Sequence, residues 1–255
     1  MNKFNILFIV LLLWVTMSCS EDEKTTVNET MNVVSETTFD NVTVKIFSKN
    51  NEFKTGYNNI YVKFYKNNNE IEVNISKLMP MMNMGMHIHS TPNEAYYKED
   101  NYVVLPVSFV MPTGDGTYWY LDLAFEFDGI EYTGEAKFKV ENSENVKSFK
   151  HNDVSYFVTL VKPMSPIVGM NDFRILINKK ESMMSWPIVE IFSVEVKPWM
   201  PDMDHGSPNN VNPIYSNNGF YEGKINFTMT GLWTVTSTFK IDTISIGEVV
   251  HTINF

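Results

Sequence analysis

YWYLDLAFEFDGIEYTGEAKFKV, residues 118–140, decides the fold class. Two runs of alternating apolar and polar residues flank Asp128-Gly129, a residue pair favoured at tight hairpin turns. Side chains two apart on a strand share a face, so each run turns one row toward a core. Similar β-type runs occupy 42–47, 60–65, 71–75 and 102–110. A second series occupies 154–161, 173–177, 188–196, 220–229, 233–241 and 248–255. No window keeps a helical period over three turns. The expectation is an all-β protein with strands at sandwich-like spacing.

Landmarks recur between the two series. Gly56-Tyr57-Asn58-Asn59-Ile60 answers to Gly169-Met170-Asn171-Asp172-Phe173, and His89-Ser90-Thr91-Pro92 to His205-Gly206-Ser207-Pro208. Phe109-Val110-Met111, then a glycine and Trp119, answers to Phe227-Thr228-Met229, Gly231 and Trp233. The offsets stay near about 113 to 118 residues, which chance would rarely sustain. Residues 141–153 are polar and read as a linker. A repeated unit is therefore expected, as two tandem Ig-like β-sandwich domains over 39–141 and 152–255. With 44% hydrophobic and 14% aromatic residues, there is ample material for buried cores.

The first residues read as a targeting segment. Met1-Asn2-Lys3 gives a short positive start, and 6–15 is almost unbroken apolar sequence, too short to span a bilayer as a helix. Cys19, the single cysteine, follows it, so no internal disulfide can form. Its position resembles the lipobox of bacterial lipoproteins, although Thr16 stands where leucine is commoner. Ser20-Glu21-Asp22-Glu23 is similar to the acidic surface-export tag of Bacteroidota lipoproteins. The resemblance implies a signal peptide over 1–18, lipidation at Cys19, a membrane-anchored protein of the cell envelope and outer membrane, and a flexible tether over 19–38. A net charge of −10 disfavours nucleic acid as partner, since phosphate binding needs a basic face.

Chemistry concentrates at 78–92, LMPMMNMGMHIHSTP, which holds five of the 16 methionines and two of the five histidines. A shorter version, WMPDMDHGSP, lies at 199–208. Methionine usually fills gaps in cores, but here it lies among Pro, Gly and Asn, which mark loops. Thioether and imidazole suit soft, monovalent copper. The expected ligands are Met84, Met86, His87 and His89 in the first loop, and Met203 and His205 in the second. Met111 and Met229 are candidate third ligands from a later strand. Strand alternation turns Met82, Met84 and Met86 away from His87 and His89, so a single site needs a bend, which Gly85 can supply.

The second half resembles the YtkA-like family through Met200-Pro201-Asp202-Met203-Asp204-His205-Gly206, Gly219-Phe220-Tyr221 and 227–233, FTMTGLW. Asp204 stands where the family tends to glycine. The resemblance implies a small exported or membrane-anchored Ig-like β-sandwich and copper handling. No zinc-protease His pair, nucleophile elbow or phosphate loop occurs, and the chain is not expected to be an enzyme. His151 and His251 are expected to be structural or exposed. The leading expectation is a copper-binding envelope lipoprotein that carries, buffers or chaperones Cu(I) and exchanges it with a copper-donating or copper-accepting envelope protein. The alternatives are a non-catalytic Ig-like surface module for a protein partner, and a zinc or Cu(II) site on His87 and His89 alone.

Overall fold

The computed structural model describes residues 31–255, so the expected signal peptide, Cys19 and the tether up to residue 30 lie outside the described residues. The first half begins with β1 (Asn32–Phe39), β2 (Val42–Ser48), β3 (Phe53–Lys54), β4 (Gly56–Lys66), β5 (Asn69–Ile71) and β6 (Asn74–Asn83). It continues with β7 (Ile88–Ser90), β8 (Tyr97–Glu99), β9 (Tyr102–Phe109), β10 (Tyr118–Phe127), β11 (Ile130–Phe138) and β12 (Val140–Glu141). The second half holds β13 (Val146–His151), β14 (Val154–Lys162), β15 (Gly169–Lys180), β16 (Ser193–Met200) and β17 (His205–Gly206). It ends with β18 (Val211–Asn217), β19 (Phe220–Phe227), β20 (Leu232–Ile241) and β21 (Ile244–Asn254).

Each half is an antiparallel sandwich. The first packs β1-β2-β4-β9-β8, with β5 added to β4, against β11-β10-β6-β7. The second packs β13-β14-β15-β19-β18 against β17-β16-β20-β21. The two orders correspond strand for strand, and no sheet among the described residues mixes the halves. These are two tandem Ig-like β-sandwiches, as the alternation implied. The hairpin that carried that reading runs in unbroken register from Trp119 opposite Phe138 to Phe127 opposite Ile130. Asp128 and Gly129 turn it at φ 52° and 74°, the positive values such a turn requires.

The matched landmarks occupy matched places. Gly56 pairs with Phe109, and Gly169 with Phe227. The Asn58 amide donates to the main-chain oxygens of Lys54 and Gly56, and Asn171 does the same to Ile167 and Gly169. Trp119 and Trp233 are wholly buried, one in each of the two cores. Burial of an indole of that size contributes about 4 to 6 kcal/mol of apolar transfer energy.

Three expectations are corrected. Residues 32–38 are not tether but most of β1, paired with β2, because Val34 and Phe39 pack onto the first core. Most of the expected linker is strand: β12 pairs with β3, and β13 is the edge of the second domain's sheet. There Phe149 stacks on Tyr156 and Phe239, an apolar contact that the Lys- and Asn-rich surroundings mask in sequence. The Met run is not all loop, since Met79, Met81 and Met82 belong to β6. Pro80 lies in that strand opposite Leu121 of β10, one residue before β7 begins to pair at Met81.

The halves meet along polar and aromatic contacts. Ser108 and Thr159 share a buried hydroxyl–hydroxyl hydrogen bond of 2.6 Å. The Tyr57 ring meets Phe220 edge-on at 5.7 Å, and the Arg174 guanidinium lies over Phe220 at 3.8 Å. Burial, reinforced by the Glu94 carboxylate that accepts its hydroxyl proton at 2.7 Å, pushes the Tyr57 phenol above its ordinary pKa.

Candidate functional site: two methionine–histidine hairpins

β6 and β7 form the first hairpin. Met82 lies opposite His89 and Asn83 opposite Ile88, and the Met84 amide donates to the His87 carbonyl at 2.8 Å. The reversal therefore runs through Gly85 and Met86. Gly85 takes φ +79°, which an L side chain rarely adopts, and its amide donates to the Asn83 side-chain oxygen at 2.7 Å. Opposed residues on paired strands share a side, as do residues two apart on one strand. Met82, Met84, His87 and His89 thus all point to one side. Gly85 supplies the bend that a single site was expected to need, and it brings Met82 opposite His89.

The four differ in exposure. Met82 is 2% exposed and part of the core, while Met84 is 38% exposed and His87 is open to solvent. Met86, at the apex, is 92% exposed and stands apart from the other donors. His89 is 3% exposed and meets Trp119 edge-on at 5.5 Å. Its Nδ1 is hydrogen-bonded to the Ser90 carbonyl at 2.7 Å, which makes Nδ1 the protonated nitrogen. Nε2 then carries a lone pair, and it is buried without a hydrogen-bond partner. Burial pushes the His89 pKa below its usual value, more than the Ser90 bond raises it, so the ring stays neutral.

β16 and β17 repeat the arrangement. Met200, 3% exposed, lies opposite His205. The connection is a 3-10 turn, Pro201–Met203, closed by Asp204 in a left-handed conformation at φ 52°. Asp204 thus shapes the turn, and Met203 is exposed on it. His205 meets Trp233 edge-on at 5.7 Å and is half-buried, with Nε2 3.4 Å from the Thr228 hydroxyl. Both tryptophans donate to a methionine main chain: Trp119 to Met111 at 3.1 Å and Trp233 to Met229 at 3.0 Å. Met111 and Met229 therefore sit at the same corner as the histidine of their own half.

Sequence reasoning passed over Met82 and Met200. The signal was present as Pro80-Met81-Met82 and Pro198-Trp199-Met200, each followed within seven residues by its histidine. Among the described residues no three His, Cys, Asp or Glu side chains come together as a metal-ligating group. Zinc ordinarily takes four such ligands, so His87 and His89 alone make a poor zinc site.

Fold and site define a tandem Ig-like β-sandwich protein with one Met/His hairpin in each half. Residues 150–238, in the second half, match the model of the YtkA-like family. No curated protein matches the chain. Among solved structures, the chain is similar to a conserved domain protein from Bacillus anthracis, at 10% identity over 90% of this chain and 92% of that one, TM-score 0.31. It is also similar to domains 5–6 of the S-layer protein SbsC, at 10% identity over 80% and 91%, TM-score 0.29. A titin structure, described as the anomalous substructure of Titin-A168169, shows 12% identity over 89% and 94%, TM-score 0.20.

Proposed function

We propose that the protein is a lipid-anchored envelope protein that binds copper as Cu(I) through its Met/His hairpins and acts as a carrier, buffer or chaperone. The observation that supports this reading most is His89 Nε2, a buried lone pair without a partner, on the same side of a hairpin as two thioethers. A buried polar atom left unpaired costs about 1–3 kcal/mol, and a soft cation would offset that cost. Methionine and neutral histidine bind Cu(I) without a change of charge on the ligands, and methionine is a poor ligand for zinc. Cargo held in this way passes on by ligand exchange, which needs no catalytic group.

The test is competition between the protein and a Cu(I) chelator of known affinity, run beside a zinc titration. Tight Cu(I) binding with weak zinc binding is expected. Equal affinities, or no Cu(I) binding, would remove copper from the account. The second reading, a surface module for a protein partner, draws on the exposed loop of Met164, Ile167 and Val168 between β14 and β15. That loop joins the start of β15, where Gly169 pairs with Phe227 close to Met229. If copper fails, that loop is the surface to test for a protein partner.

A further inference from the structure

We propose that the Cu(I) site of the first hairpin is completed across the domain junction by a thioether from Met183 or Met184 of the second half. The inference rests on the reading of that hairpin as a Cu(I) site. Between β15 and β16 the chain makes a short excursion closed by two main-chain bonds, Lys179 to Pro187 and Glu181 to Ser185, both 3.0 Å. Its tip, residues 182–185, reads Ser-Met-Met-Ser. The tip rests on the first half, where the Ser90 amide donates to the Met183 carbonyl at 2.9 Å.

The place of that contact matters. β7 is the edge strand of its sheet, and Ser90 is the next residue after His89. The one element of the second half bonded to this edge thus carries two adjacent methionines. They are 40% and 50% exposed, so neither is committed to a core. Methionine has three rotatable bonds and adapts readily to a site beside its own backbone. Cu(I) accepts low coordination numbers, and Met84 with His87 leaves room for a third soft donor.

The second hairpin has no such neighbour, because the contacts of His205, to Thr228 and Trp233, lie in its own half.

The experiment uses the whole protein carrying Met203→Leu and His205→Ala, which leaves the first site to report. Cu(I) affinity is measured by chelator competition before and after adding Met183→Leu with Met184→Leu. The Ser90 bond uses main-chain atoms and leucine is close in volume, so the melting temperature should not change. Affinity is expected to fall by about tenfold or more, equivalent to about 1.4 kcal/mol. Ag(I) added to protein with 13C-labelled methionine methyl groups should shift the Met183 or Met184 resonance together with that of Met84. Unchanged affinity with both tip resonances unmoved would overturn the proposal while leaving the hairpin as a site. No Cu(I) binding before the leucines are added would instead defeat the copper reading, and this inference with it.

Discussion

The indole nitrogen of Trp119 donates to the main-chain oxygen of Met111 at 3.1 Å, at the end of the first core where His89 packs edge-on against the same ring. The bond needs the backbone of Met111 and not its sulfur. Met111→Leu should therefore leave stability nearly unchanged. Trp119→Phe leaves that carbonyl without its donor and opens a void, at a cost of about 1–3 kcal/mol from the hydrogen bond alone. Urea denaturation of the two variants separates these effects, and equal losses would show that the sulfur itself carries packing energy.

The hairpin geometry ranks the ligands. Met84 and His87 share a side with Met82 and His89, whereas Met86 stands at the exposed apex. Met84→Leu or His87→Ala should lower Cu(I) affinity about tenfold each, and Met86→Leu by less than about twofold. Alanine at both Met203 and His205 should remove less copper than alanine at both Met84 and His87, because the second loop holds fewer soft donors. A dominant effect at Met86, or at the second loop, would refute this ranking.

Strand β13 fixes where the second domain can be cut. Phe149 stacks on Phe239 at 4.9 Å and on Tyr156 at 5.0 Å, and it lies against Gly247, where a Cβ would come within 2.2 Å of its ring. A fragment of residues 144–255 should fold as a β-rich unit. A fragment of 152–255 lacks this half-buried aromatic together with its strand and should be less stable by about 1–2 kcal/mol or more. Circular dichroism melts of both decide the matter, and equal melting temperatures would show β13 to be dispensable.

Acid should weaken the second domain through His251. The ring is wholly buried in β21, and burial lowers its pKa to about 4. Between pH 6.5 and 4 the unfolded chain takes up a proton that the native state refuses, so stability falls as pH drops through that window. The loss from this one group reaches about 3 kcal/mol at the acid end and is absent above the unperturbed pKa of about 6.5. His251→Leu should flatten the dependence when urea midpoints at pH 7 and pH 4.5 are compared. The same slope in both proteins would place the acid sensitivity elsewhere.

The fold was legible wherever alternation met a turn signal, as at Asp128-Gly129, and the matched landmarks set the two halves in parallel. β1 and β13 were not legible, because each is a polar edge strand whose few apolar residues meet partners distant in sequence. Phe149 finds Phe239, and Phe39 finds Phe125. At the site, the need for a bend at Gly85 was readable, because alternation holds only along one continuous strand. Which residues the reversal sets opposite each other, as Met82 and His89, was not. Met183 and Met184 carried no local signal, since their relevance comes from a single bond to Ser90 in the other half.

The segment between the halves is held down along its length. Thr55 donates its amide to Glu141 at 2.9 Å and its hydroxyl to the Ser143 carbonyl at 3.0 Å, and it accepts the Ser143 amide at 2.7 Å. Leu160 then donates to the Asn145 carbonyl at 2.7 Å. A protease must draw several consecutive residues into its cleft in extended form, and Glu141, Ser143 and Asn145 would each first have to give up a bond to one domain or the other. The stretch that joins the two domains is therefore a poor place for an enzyme to nick the chain, and an added protease should leave the pair uncut at that point.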